Sequence, residues 1–179
     1  KILITGAGGL VGSKACHALV KNHEVHAVVR TKPTTVIDRC TYHTLDLGGD
    51  WSVGDLPVEM DVVVHLAQSS RFREFPEQAR DVFKVNIEST AKLLDYCRTS
   101  GARRFVLASS GGVYGAGANT FSENSPIVPY ERLGFYLGSK LCAEVLAQNY
   151  ADIFDVSILR FFFVYSIIIS IVWLGSFFK

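Results

Sequence analysis

Lys1-Ile2-Leu3-Ile4-Thr5-Gly6-Ala7-Gly8-Gly9-Leu10-Val11-Gly12 opens the chain: a short apolar run breaks into glycines and resumes as a helical pattern. Ile2 to Ile4 reads as a strand, and Leu10 to Lys21 as a helix with Ala15, Ala18 and Leu19 on one side. A strand that turns at once into a helix aims the helix's first N–H groups at whatever lies on the turn, where any Cβ would block a close approach. Gly6, Gly9 and Gly12 provide that room, so the turn is a candidate pyrophosphate cradle with Leu10 and Val11 opening the helix beside it. Its spacing is Gly-x-x-Gly-x-x-Gly, because Val11 stands where the Gly-x-Gly-x-x-Gly fingerprint has its third glycine. The alternative is a glycine-rich turn that holds no ligand; its place straight after a strand and at the head of a helix favours phosphate.

Beyond the turn, short apolar runs alternate with helical stretches, the pattern of a parallel sheet covered on both faces. Glu24 to Val29 reads as a second strand, Tyr42 to Leu45 as a third, Val62 to Leu66 as a fourth, Phe105 to Ala108 as a fifth and Val156 to Leu159 as a sixth. Glu77 to Thr99 carries apolar residues at three- and four-residue steps and stops at Gly101; Tyr130 to Tyr150 is the next helix. The fold expected is therefore α/β: a Rossmann-like, doubly wound parallel sheet with helices on both faces. Gly111 to Pro129 is a long loop of the kind that is more often functional than idle.

Composition narrows the function. The chain has 179 residues, 49% hydrophobic, with a formal charge of +1, which fits one globular domain. Basic and acidic residues mix throughout, and only Arg103 and Arg104 adjoin, so the basic stripe that nucleic acid requires is missing. Cys16, Cys40, Cys97 and Cys142 are spread out with no Cys-x-x-Cys; the first, third and fourth fall in helical patterns and read as buried, reduced thiols of a cytoplasmic protein. His23, His26, Cys40 and His43 could be drawn as a zinc set, but His23 and His26 read as the opening and middle of a strand, so no metal is expected. With no initiator Met and no signal peptide before the first strand, the reading expects a trimmed or fragmentary sequence.

Two further features bear on chemistry. After the second strand an acidic residue would bond an adenosine ribose, whereas an arginine suits a 2′-phosphate; Arg30 stands there with Lys32 close by, which favours NADP over NAD. Of seven tyrosines only Tyr136 has a lysine four residues on, Lys140, and that spacing stacks the two on one helix face. For a phenol of pKa ~10 to act as a base near neutrality its pKa must fall by about three units, roughly 4 kcal/mol, which an ammonium ~4 Å away in a partly screened site supplies. An oxidised nicotinamide would add to it. Gly138 and Ser139, poor helix formers between the pair, suggest a close approach there. The alternative is a packed Tyr136 beside a solvated Lys140.

Taken in order, these motifs resemble the extended short-chain dehydrogenase/reductases, the NAD(P)-dependent nucleotide-sugar epimerases and dehydratases. The likeness runs from Lys1 to about Tyr165 and rests on the glycine turn, Asp46-Leu47, His65-Leu66-Ala67, Val85-Asn86, Ser109 to Gly115, Tyr136-x-x-x-Lys140 and Leu159-Arg160-Phe161-Phe162. The resemblance implies that Asp46 and Leu47 hold the adenine, that Leu66, Ala67, Gln68 and Asn86 line the cofactor, and that Phe162 meets the nicotinamide side. It also implies that Ser110 bonds the reacting oxygen while Tyr136 takes the hydroxyl proton and hydride passes to the nicotinamide; Ser109 is the weaker candidate, and Ser110 could instead merely cap the fifth strand. A nucleotide-sugar substrate and a homodimer formed through the helices after the fourth and fifth strands are what the family leads one to expect.

The departures matter as much. Family dehydratases carry an acidic residue within two places of that serine; Gly111 and Gly112 here favour an epimerase or carbonyl reductase. Phe163 replaces the asparagine that the family uses on the substrate diphosphate. Residues 1–165 are thus expected to form the NAD(P)-binding domain and 166–179 an atypical apolar tail, with the substrate lobe largely missing. The stretch from Phe161 to Phe178 is uncharged and 18 residues long, about 27 Å as a helix. Its start coincides with the sixth strand, so a membrane anchor is the lesser reading and an altered terminus the greater.

Overall fold

The structure, a computed structural model, describes residues 1–116 and 120–164. Strands β1 (Ile2–Thr5), β2 (Val25–Val29), β3 (Cys40–Thr44), β4 (Val62–His65), β5 (Arg104–Ser110) and β6 (Asp155–Phe161) form one sheet in the order β3-β2-β1-β4-β5-β6. Every neighbouring pair is parallel. The chain builds outward from β1 to one edge, returns, and builds outward again, so the order reverses between β1 and β4; a crevice opens at such a point beyond the strands' C-terminal ends.

Alternation along β1 shows why both faces are dry. Ile2 and Ile4 join Cys16 of α1 (Leu10–Leu19) and Val25, Ala27 and Val29 of β2 in one cluster. Leu3 points the other way, into a larger cluster with Val63, Leu93, Leu94, Phe105 and Ala143. Period-two strands therefore feed two cores, and the expected helices on both faces supply their covers. Among the described residues no helix is long and apolar enough to cross a membrane. The tail from Tyr165, and with it most of the stretch weighed as an anchor, lies outside the described residues, as do positions 117–119 of the long loop.

Several boundaries differ from the sequence expectation. The helix expected over Glu77–Thr99 is a succession of α2 (Ala79–Phe83), a π-helical turn (Lys84–Glu88) and α3 (Ser89–Ser100). Hydroxyls of Ser89 and Thr90 bond back to the carbonyls of Val85 and Asn86, at 2.5 and 2.7 Å, which satisfies groups that the wider turn releases. Gly101 ends α3 at φ +75°, in the left-handed region. The helix expected from Tyr130 begins with a 3₁₀ turn and becomes α4 only at Gly134–Gln148. Cys16 and Cys97 are buried as expected, and burial pushes both thiols up to about 12, but Cys142 is exposed on α4. His26 of β2 bonds His43 of β3 at 2.9 Å and Glu24 at 2.9 Å. Among the described residues no group of three metal-ligating side chains assembles.

One buried ion pair locks the C-terminal half. Glu144 of α4, 4% exposed, takes a guanidinium from Arg160 of β6 at 2.6 Å and the Ser109 hydroxyl from β5. Arg160 also donates to the Tyr114 hydroxyl at 2.7 Å and lies 4.9 Å over that ring. Removing Glu144 leaves a guanidinium that is 22% exposed without its carboxylate and the Ser109 hydroxyl without its acceptor, so Glu144→Ala is expected to cost about 1–3 kcal/mol, read from the urea midpoint. A Glu144→Ala/Arg160→Met double variant should recover part of that loss; full additivity of the two single losses would show that the pair is not coupled.

Candidate active site

The glycine turn is tighter than an anion alone would require. A Cβ on Gly6, at φ +68°, would lie 2.6 Å from the Ala67 backbone nitrogen, and one on Gly12 would lie 2.2 Å from the Gly6 carbonyl oxygen. These two glycines let the chain pack on itself: Gly6 brings the exits of β1 and β4 together, and Gly12 brings α1 onto the turn. To the room expected for a ligand the structure adds a packing role at Gly6 and Gly12, and Gly12 serves packing without reaching the cleft. Gly9 is itself 3.2 Å from the Gly6 carbonyl by the same measure, and the freer edge is Gly8, whose nearest neighbour would be Val29 at 3.8 Å. Gly9 starts α1, and no side chain caps the first turn.

Gly6, Gly8 and Gly9 form one wall of a cleft of about 590 Å³ at the C-terminal ends of β1, β2 and β4. Of the residues singled out from the sequence, Arg30, Asp46, Leu47, Leu66, Ala67 and Gln68 line it as well. Asp46 stays at the rim with Oδ1 accepting from the Gly48 N–H at 3.0 Å, while Leu47 is buried beneath. Leu10, Val11 and Gly12 do not reach the lining. Thr31, Ser69, Arg71, Asp81 and Val85 do, and sequence reasoning missed them. Ser69 and Arg71 leave β4 right after the matched motif, so proximity to it was the available signal; Val85 stood beside Asn86 in a matched motif, and Asp81 arrives on the helical stretch with no signal of its own.

Asn86 sits behind the wall. It is buried, its Oδ1 accepts from the Ser69 N–H at 2.9 Å, and its Nδ2 donates to the Ser139 hydroxyl at 2.9 Å. It braces the segment after β4 against α4, where the resemblance implied a lining residue. Phe162 is placed elsewhere too: its ring lies against Gly111 and stacks with Tyr114 and Phe121, at centroid distances of 6.3 and 5.9 Å. A Cβ on Gly111 would come within 2.6 Å of that ring.

At the cleft's end stands Tyr136, its hydroxyl donating to Gln68 Oε1 at 2.9 Å. Lys140 is on the same face of α4 but is buried and donates to the Ala108 carbonyl at 3.0 Å. Burial pulls the Lys140 ammonium down to about 8. Burial, reinforced by the Lys140 charge, pulls His65 down to about 3, so this imidazole is neutral between the hydroxyls of Thr5 and Thr90, at 2.7 and 3.2 Å. Tyr136 is pushed up by burial, against which a hydrogen bond with Ser110 works. The phenol depressed by Lys140 that the spacing predicts is therefore not what the chain's own groups produce. Ser110 also accepts from the Gly112 N–H at 3.2 Å and so caps the turn after β5, in keeping with the structural alternative for this serine. Its neighbour Ser109 faces the opposite side and Glu144. Gly138 has open space around it and no protein group close to it; Ser139 is buried as the partner of Asn86.

A family model, the NAD dependent epimerase/dehydratase family, matches residues 2–167. The chain belongs to this family. Among curated proteins, the uncharacterized UDP-glucose epimerase YtcB of Bacillus subtilis is 31% identical over 92% of this chain and 57% of its own length. A dTDP-glucose 4,6-dehydratase from Streptomyces antibioticus is 27% identical over 83% of this chain and 48% of its own. Among solved structures, a UDP-glucuronic acid 4-epimerase from Bacillus cereus in complex with UDP-glucuronic acid and NAD superposes with a TM-score of 0.79 at 28% identity, over 92% of this chain and 57% of that one. The chain spans about half the length of the relatives it matches.

The buried ammonium makes stability depend on pH with a defined sign. Unfolded, Lys140 keeps its proton up to the ordinary 10.5; folded, it releases it near 8. The burial penalty is in force below about pH 8, and this group's contribution to stability rises from there to about 10.5. Lys140→Met should remove that rise. The check is urea unfolding at about pH 7 and about pH 9.5 for both proteins, and parallel changes would contradict it.

Proposed function

We propose that this family member is an NAD(P)-dependent oxidoreductase or epimerase acting on a sugar-nucleotide hydroxyl or ketone by hydride transfer assisted by Tyr136 and Lys140. The observation that carries the reading is that the Tyr136 hydroxyl bonds Gln68, a residue that also lines the cleft built on Gly6 and Gly9. The cleft suits a dinucleotide: its glycine wall admits a backbone-bound pyrophosphate at the start of α1, and Asp46, Leu47 and Arg30 stand at the end where an adenosine would lie. Arg30 favours NADP; the UDP-glucuronic acid 4-epimerase of Bacillus cereus holds NAD.

In this reading Tyr136 takes the proton of the reacting hydroxyl, and Ser110 donates to the same oxygen as it becomes a carbonyl. When bound, an oxidised nicotinamide would accept the hydride and bring a positive charge near the phenol. That charge matters because burial raises Tyr136 and Lys140 spends its hydrogen bond on Ala108. Lys140 then acts through its field, from one helical turn away. Gly111 and Gly112 leave no acid to expel water, which favours epimerisation or reduction over dehydration.

A second reading, a dinucleotide-binding protein without turnover, is favoured by the raised phenol alone. Nicotinamide fluorescence titration with NADH and NADPH, followed by an assay on a 4-keto sugar nucleotide, separates the two. Binding together with turnover that falls by about 10²-fold or more in Tyr136→Phe is the expected result. Binding with no ketone reduction would establish the binder. Arg30→Ala should weaken NADPH about tenfold and leave NADH nearly unchanged, as loss of a charged hydrogen bond implies.

A further inference from the structure

Gln68 occupies a position that neither the glycine turn nor the tyrosine–lysine pair explains. Its side chain lines the cleft, and its carboxamide oxygen meets the phenol at 2.9 Å. The two residues are held to each other from behind. Asn86 accepts from the N–H of Ser69, next to Gln68, and donates to Ser139, three residues beyond Tyr136 on α4. The Ser69 hydroxyl is fixed on Asp81, and the ring of Phe72 packs on the Tyr136 ring with centroids 4.6 Å apart. The other polar groups nearby are already engaged: Lys140 on the Ala108 carbonyl, Ser110 on the Gly112 N–H as well as on the phenol, and Arg73 5.2 Å over Phe72.

A carboxamide differs from every other partner such a phenol could have. It carries an acceptor and two donors on one planar group, and its terminal torsion is broad and roughly two-fold, so either end can be presented at small cost. We propose that Gln68 is a positioning residue that partners Tyr136 in both protonation states, accepting from the phenol on Oε1 and, with the amide turned over, donating from Nε2 to the phenolate. The proton itself passes between Tyr136 and the reacting hydroxyl, and Gln68 neither gains nor loses one. This rests on the reading of Tyr136 as the base and deepens it: with the Ser110 hydroxyl shared between the phenol and the Gly112 N–H, the amide gives a half-buried phenolate a second neutral donor where water must leave for hydride transfer.

The test tracks the phenol directly and needs neither cofactor nor substrate. The full chain is labelled with a ring-fluorinated tyrosine, whose phenol titrates at lower pH, and Tyr136→Phe assigns one of the seven resonances by ¹⁹F NMR. Gln68→Met keeps the length and removes the donor, so the Tyr136 midpoint should rise. Gln68→Glu places a carboxylate against the phenolate and should raise it by about one unit or more. A Gln68→Met midpoint at or below that of the parent would mean that the amide serves only the protonated phenol, and overturns the proposal. An unmoved midpoint in Gln68→Glu would mean that the two side chains do not meet, and overturns it as well. The other six tyrosine resonances report whether each variant is folded, and if Gln68→Met is not, Gln68→Glu decides. Failure to bind NADH or NADPH would instead sink the proposed oxidoreductase function and leave the pair's titration standing.

Discussion

Two lengths of backbone leave neighbouring parallel strands at the same place, and no side chain fits between them. That contact, Gly6 against Ala67, fixes the geometry of the whole site. With Gly12 pressed on the Gly6 carbonyl, α1 is seated over the junction of β1 and β4, which turns its first N–H groups toward the crevice. Ala67 leads directly into Gln68, which is why the segment that closes against the glycine turn also reaches the phenol on α4. The cleft and the Tyr136 hydroxyl are thus joined by a few residues of main chain.

Burial is the second force on the site, and it acts on both charged partners in opposite directions. It raises Tyr136 and lowers Lys140, so each is pushed toward its neutral form. Under the proposed function, a positive charge arriving in the cleft would work against the burial that raises the phenol. Neutral His65, set between two threonine hydroxyls, adds shape without adding charge.

The parts of this arrangement legible in the sequence are those set by period and by backbone sterics. Short runs of three to six residues, most of them largely apolar, placed all six strands, and glycine spacing placed the turn, because both signals are local. The π-helical turn was invisible, since apolar residues at three- and four-residue steps suit an unbroken α-helix equally well. Asn86 and Phe162 carried family labels, but their surroundings are set by residues 53 and 51 positions away in sequence, Ser139 and Gly111. Ser109 and Ser110 could be separated by strand alternation alone, one facing Glu144 and the other the cleft side. Lys140 shows the limit of spacing arguments: four residues along a helix put an ammonium on the right face, yet its hydrogen bond is taken by a carbonyl of β5.

The ring of Phe162 lying flat on Gly111 couples the two positions sterically. An acid at 111 would displace the exposed ring of Phe162 from its seat or call for a smaller residue there. The bare α-carbon at 111 is thus a matter of packing, and a substitution there would be felt first by the aromatic stack of Phe162, Tyr114 and Phe121.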